Sequence, residues 1–285
     1  MSEQTIPYIA KHYTLGEAFS NKDGIRCYPA IDNRTQNRYI LKVHQFPANS
    51  TVTEAFILSG AFANIRDVNA YYADLAKDLC RQVAILNALS QSSCFSHYIF
   101  CESATCEDGG TVVWLIAPYQ TTLAVLFGKY QLNETEIIRL GISLCHALSI
   151  SREAGFLYTA LRPENIYISE TGEFTIGDVG FIPLSSLPYA ALPVRYHSIY
   201  TPQDNHDCFS HISENLDVYS VGVIMHQALL CGKLPGKITE IPSNTSKELS
   251  NIIITACSPS PSLRYKTPEE METALKACLK SEGKE

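Results

Sequence analysis

The sequence predicts an α+β fold in two parts, a small β-rich part followed by a larger helical one. Short β-branched and aromatic runs joined by polar turns dominate up to about residue 43 and return near residues 99–117. One amphipathic helix lies between them, with Leu75, Leu79, Val83 and Leu86 at helical spacing. Beyond residues 119–122 helix signatures take over, and strands first with helices afterwards mark a segregated α+β architecture.

In chain order, Ile25–Ile31 and Tyr39–Val43 read as strands around the turn from Asp32 to Asn37. Residues 44–69 are less regular, with an apolar patch from Ala55 to Phe62 and a helix expected over Thr53–Phe62. The amphipathic helix is placed at Tyr71–Leu89, and strands are placed at Ile99–Cys101 and Thr111–Ala117 around Glu107-Asp108-Gly109-Gly110. In the second part, Asn133 with Glu136 three residues on is a capping-box signature, and Gly155 ends that helix. Ile137, Gly141, Leu144 and Leu148 mark its buried stripe. Two short strands follow, Ile166–Ile168 and Phe174–Ile176. Val218–Leu230 is almost wholly apolar and reads as a buried central helix, and Thr267-Pro268-Glu269-Glu270 opens the last one.

Composition narrows the function classes. With 285 residues, 46% of them hydrophobic, the chain has material for a real core, which excludes wholesale disorder. A net charge of −7 without a Lys/Arg cluster argues against a general nucleic-acid binder. No apolar run approaches the ~20 residues of a membrane helix, and Met1-Ser2-Glu3-Gln4 has no signal-peptide character. The ten cysteines are scattered singly, and the closest pair, Cys101 and Cys106, has no companion set for a zinc site. A cytoplasmic protein with reduced thiols and no membrane segment is expected.

Four segments carry candidate chemistry. Tyr39-Ile40-Leu41-Lys42-Val43 places a lysine inside a hydrophobic strand, where it needs an anionic partner or an outward path. Leu161-Arg162-Pro163-Glu164-Asn165-Ile166-Tyr167-Ile168 is a polar loop entering a strand, and Ile176-Gly177-Asp178-Val179-Gly180 is an acid on a glycine turn after the next strand. Asn165 and Asp178 would offer two oxygen ligands on adjacent loops, an arrangement Mg²⁺ accepts when phosphate supplies the rest. The simpler readings are a loop cap and a turn residue. The fourth segment is Asp217-Val218-Tyr219-Ser220-Val221-Gly222, with Arg264 far downstream.

In this order the segments resemble the protein kinase family over nearly the whole chain. Leu41-Lys42-Val43 resembles the V-A-I-K strand, Arg162-Pro163-Glu164-Asn165 the end of the catalytic loop, and Asp178-Val179-Gly180 the D-F-G turn. Tyr200-Thr201-Pro202-Gln203 is a weaker likeness of A-P-E. Asp217 to Gly222 resembles the family's central helix, and Ser262-Leu263-Arg264 its late arginine. The resemblance implies a bilobal protein-kinase-like fold, with a β-rich N-lobe at 1–118, an αC-type helix, an insertion near 44–69 and a helical C-lobe at 119–285. It also implies a nucleotide site for ATP or ADP, with or without Mg²⁺. Lys42 and Arg162 would face phosphate, Gln82 would stand by Lys42, Ile116, Ala117 and Tyr119 would line the adenine-side hinge, and Asn165 and Asp178 would hold the metal.

The departures fall on the chemistry. Tyr158-Thr159-Ala160 stands where the family has H-R-D, so Ala160 occupies the position of the catalytic aspartate, and a methyl cannot accept a proton. Such groups contribute ~10²–10⁴-fold, so phosphotransfer is expected to be crippled. The glycine-rich loop is reduced to Gly16 and a distant Gly24, with Glu17 adding the wrong charge. Gln82 replaces the αC glutamate, 40 positions after Lys42. His197 and His206 are candidate replacement bases, with exposed loop histidines the simpler reading. The favoured expectation is a pseudokinase that binds a nucleotide and acts through protein partners, with the 44–69 insertion and the αC-type helix as the partner surface. A weakly active or atypical ATP-dependent Ser/Thr kinase and a nucleotide-free scaffold are the alternatives.

Overall fold

Successive side chains along a strand point to opposite faces of a sheet, and that rule organises the first half of the chain. The computed structural model describes residues 7–22, 24–169, 171–189, 192, 198–205, 212–234, 236 and 240–282. They form two compact units, one of residues 1–87 with 97–119 and one of 88–96 with 120–285. His197 and His206 lie outside the described residues.

The first unit contains α1 (Pro7–His12), β1 (Tyr13–Leu15), β2 (Ser20–Lys22), β3 (Ile25–Asp32), β4 (Arg38–Phe46), α2 (Ser50–Leu58), α3 (Ile65–Leu89), β5 (Phe100–Thr105) and β6 (Thr111–Pro118). Its antiparallel sheet has the order β1-β3-β4-β6-β5, with β2 also on β3. Leu41 and Val43 on β4 and Val112, Trp114 and Ile116 on β6 alternate into one core with Ile9, Tyr13 and Ala30. Lys42, between Leu41 and Val43, therefore belongs to the opposite face. The β3–β4 turn is fastened by the Asp32 carboxylate, which accepts the Arg34 and Thr35 amides at 2.8 and 2.7 Å.

The stretch after β4 differs from expectation in its boundaries. β4 continues to Phe46 and α3 begins at Ile65, because Asn64 caps it by accepting the Arg66 and Asp67 amides. The elaboration is thus 47–64, and its helix is Ser50–Leu58, started by the Asn49 side chain on the Val52 amide. Phe56 holds it in place, meeting Phe62 edge-on at 5.5 Å and Tyr72 of α3 at 6.3 Å. Leu58 is left 87% exposed, so the patch is only partly consumed by packing.

The second unit adds β7 (Thr121–Thr122), α4 (Leu123–Phe127), α5 (Glu134–Glu153), β8 (Phe156–Tyr158), β9 (Ile166–Ile168), β10 (Phe174–Ile176), β11 (Phe181–Pro183), α6 (Leu216–Leu229), α7 (Lys247–Ala256) and α8 (Pro268–Glu282). The Asn133–Glu136 capping box opens α5, with both reciprocal bonds made. α6 is buried along almost its whole length. Close approach needs small residues. A Cβ on Gly141 of α5 would lie 2.6 Å from Met225 Sδ of α6 and 2.9 Å from Leu275 of α8, and one on Gly222 would lie 2.8 Å from Ala256 of α7.

One buried ion pair fixes the start of α6. Arg152, at the end of α5, grips both oxygens of Asp217 at 2.8 Å each and also donates to the Glu214 carbonyl. Burial pushes the Asp217 carboxyl up against the opposing pull of Arg152. Leaving either charge alone in the interior costs ~3–5 kcal/mol. Arg152→Ala and Asp217→Ala are each expected to lower unfolding stability by about that much, and the double variant by less than the sum, in denaturant titrations.

Asp32 supplies a pH test of the first unit. Amide bonds, chiefly from Thr35, hold its carboxyl below the usual range. A depressed carboxylate stabilises the fold above its unfolded-state value of about 4, and that contribution is lost as pH falls through the folded-state value. Amide resonances of Arg34 and Thr35 should therefore titrate together on the acid side of pH ~4, and Asp32→Asn should abolish the transition.

Candidate functional site

In the second unit, β9 and β10 pair with Ile166 opposite Ile176, which sets Asn165 and Gly177 side by side at one end of the hairpin. The Gly177 amide donates to the Asn165 carbonyl at 2.8 Å. Gly177 has no room for a side chain, since a Cβ there would collide with the Tyr167 ring. Asp178 comes next with φ +70°, the left-handed region that aspartate tolerates better than most residues. Its Oδ1 accepts the Val179 amide at 2.9 Å.

The neighbouring pair β8–β11 places Tyr158 opposite Phe181. The buried Tyr158 hydroxyl donates to the Gly177 carbonyl at 2.6 Å. The Thr159 amide and hydroxyl both donate to the Gly180 carbonyl at 2.9 Å. Ala160 is 7% exposed, and a Cβ on Gly180 would stand 2.5 Å from its methyl. The Ala160 carbonyl accepts the Asn165 Nδ2 at 2.8 Å. That bond orients the buried amide, and Oδ1 is engaged by no described group. Arg162 is exposed at the head of a 3₁₀ turn, and its carbonyl accepts the Asn165 amide at 2.9 Å.

Chemically, position 160 offers a methyl and no proton acceptor. Asn165 Oδ1 and the Asp178 carboxylate are hard oxygen donors on adjoining loops, the ligand type that suits Mg²⁺ when other oxygens complete its shell. Among the described residues, no cluster of three His, Cys, Asp or Glu side chains could hold a metal without such help.

In the first unit, Lys42 lies opposite Cys27 on β3 and Leu115 on β6. Its Nζ donates to the Tyr98 hydroxyl at 2.9 Å and stands 5.4 Å from that ring's centroid. Tyr98 is pinned in turn by Asn87 of α3, whose side chain meets the Tyr98 carbonyl and amide, each at 2.8 Å. Tyr98 is thus a site residue that sequence reasoning missed, and no motif spacing marks it. Gln82 is half-buried on α3. The Ile116 side chain is fully buried in the core, so it presents only backbone to a ligand. Ala117 is half-buried, and Tyr119 is exposed beneath the Arg38 guanidinium at 4.3 Å. Gly16 and Phe19 spend their amides on the Pro29 and Cys27 carbonyls of β3, at 2.9 and 3.0 Å. Those two amides are unavailable to a phosphate.

No protein-family model matches the chain. It is 26% identical over 184 residues, 64% of its length, to a probable serine/threonine-protein kinase of Dictyostelium discoideum. It is 25% identical over 167 residues, 57% of its length, to the maternal embryonic leucine zipper kinase of Danio rerio. A testis-specific serine/threonine-protein kinase of Mus musculus is 31% identical over 107 residues, 37% of the chain. The matches span only 37%, 24% and 28% of these relatives' own lengths. These distant similarities support a protein-kinase family, and the mixed helices and antiparallel sheets are compatible with a kinase-like α+β fold. No described helix is long and apolar enough to cross a membrane.

The Tyr158 hydroxyl is the most exacting of these contacts. Tyr158→Phe would leave the Gly177 carbonyl buried without that donor, which costs ~1–3 kcal/mol. A drop of that size in urea unfolding is expected.

Proposed function

We propose that this chain is a kinase-like module impaired in phosphotransfer, which binds a nucleotide and acts through protein contact. The observation that carries the reading is the buried methyl of Ala160, packed against Gly180 where an acid would be needed, beside two loops that keep oxygen donors at Asn165 and Asp178. Loss of the proton acceptor with retention of the donors fits binding better than turnover. ATP or ADP is the nucleotide the resemblance suggests. Asn165 and Asp178 would hold Mg²⁺, which when bound offsets phosphate charge, and Lys42, oriented by Tyr98, would face phosphate. The partner surface is proposed at 47–64 and the start of α3, where Leu58, Ile65 and Tyr71 are exposed.

The second reading, a weakly active or atypical Ser/Thr kinase, is favoured by the presence of Lys42, Asn165 and Asp178 and by the kinase names of the relatives. Transfer of labelled phosphate that disappears in Lys42→Ala would support it over the first.

Thermal unfolding with ATP or ADP, each with and without Mg²⁺, tests the proposal. Ligand at ~100 times Kd adds ~2.7 kcal/mol to the native state, a rise of several degrees. A rise that needs Mg²⁺ and vanishes in Asp178→Ala is the expected result. No rise under any condition would replace the nucleotide reading with a nucleotide-free scaffold.

A further inference from the structure

Cysteines scattered singly along a sequence can still meet in the fold, and two of them do so in the first unit. The Asn87 side chain of α3 holds Tyr98 by its carbonyl and amide, each at 2.8 Å, and β5 starts just beyond. From this clamp the helix traced backwards and the strand traced forwards cover equal distances. Helical rise from Asn87 back to Cys80 amounts to ~10 Å, and extended chain from Tyr98 on to Cys101 amounts to ~10 Å as well.

The side chains at those two ends point at each other. Phe100 packs against the core around Trp114, so Cys101 next to it belongs to the opposite sheet face. There it stands in the cross-strand row that runs through Leu115 to Lys42. Cys80 lies between Ala76 and Val83, four residues from one and three from the other, on the buried stripe of α3. The two thiols share a hydrogen bond.

The pair is also open to small reagents, since Cys101 is exposed and Cys80 half-buried, whereas Cys145, Cys257 and Cys278 are buried. Burial, and then the Cys80 sulfur beside it, push the Cys101 thiol up to about 12. Cys101 therefore keeps its proton and suits a second, resolving step, which leaves Cys80 as the sulfur that meets an oxidant. The part of the rise that comes from Cys80 disappears once that sulfur is a neutral sulfenic acid.

We propose that Cys80 and Cys101 are an oxidative modification site, forming a reversible disulfide with hydrogen peroxide and stapling α3 to β5. The Cys80 thiolate attacks one peroxide oxygen, the O–O bond breaks, and hydroxide leaves to take up the proton that Cys80 released. Cys80 is then a sulfenic acid. The Cys101 sulfur attacks the Cys80 sulfur, the S–O bond breaks, and the hydroxyl leaves as water with the Cys101 proton. Two thiols and one peroxide thus give one disulfide and two waters. The site uses none of the residues assigned to the nucleotide, so it stands or falls separately from that reading.

Peroxide treatment of the folded whole chain, then alkylation of the remaining thiols and peptide mapping by mass spectrometry, tests the assignment. A Cys80–Cys101 link that dithiothreitol removes is expected. The oxidised chain should melt several degrees above the reduced one. Cys101→Ser, at an exposed position, should match the reduced parent in melting temperature and gain nothing from peroxide. It should instead accumulate a Cys80 sulfenic acid, trapped by dimedone, that the parent does not retain. Cys80 linked chiefly to Cys94 or Cys106 would overturn the proposal. So would Cys80 and Cys101 both remaining open to alkylation at a peroxide dose that oxidises the exposed Cys231.

Discussion

The carbonyls of Gly177 and Gly180 are the points on which the site's geometry depends. One receives the Tyr158 hydroxyl and the other receives the amide and hydroxyl of Thr159. Each such bond contributes only ~0.5–1.5 kcal/mol net, but leaving its buried partner unmet costs more, so the three act as a lock. Gly180 lets segment 158–160 come within touching distance, since a Cβ there would stand 2.5 Å from the Ala160 methyl, while Gly177 makes room for the Tyr167 ring. Phosphate chemistry would have to be done with whatever this lock holds in place, and at position 160 it holds a methyl.

Much of this was written locally and could be read locally. The Asn133–Glu136 box, the hairpin at 166–176 and the strand pair around Asp32 each announce themselves within a few residues, because caps, turns and pleats are short-range devices. The site's loops were legible for the same reason, since motif order survives where individual motifs fade. β8 and β11 were not: β9 and β10 are equally short but flank one glycine turn, whereas β8 and β11 pair across the whole of that hairpin with no turn between them to mark the pair. α7 did carry a signal, with Ser246 on the Leu249 amide and Leu249, Ile252, Ile253 and Ala256 buried at helical spacing, but a polar, proline-containing approach obscures it. Arg152 with Asp217 and Lys42 with Tyr98 are 65 and 56 positions apart, and no window of sequence can show such partners.

The helical unit is organised around a column that gives water no access. α6 buries nearly every side chain, so its one acid must be met inside the protein, and Arg152 meets it. A second arginine, Arg264, does comparable work at the other end of the sequence, fully buried at its guanidinium while bonded to Asp204 and to the Ser258 and Pro259 carbonyls. Pairs of this kind add little compared with well-packed apolar groups, yet they tolerate no half-measures. They tie distant stretches of chain to one register.

Asn165 has a further implication. Its amide nitrogen is spoken for by the Ala160 carbonyl, so the position demands a side chain that donates on one side and accepts on the other. An aspartate of the same shape would set a negative oxygen against that carbonyl, and a leucine would leave it without its donor. The backbone thus selects asparagine before any ion does. Asp178 answers to local demands of the same kind, a left-handed backbone and an Oδ1 that accepts the Val179 amide, so both side chains have a structural reason to be what they are.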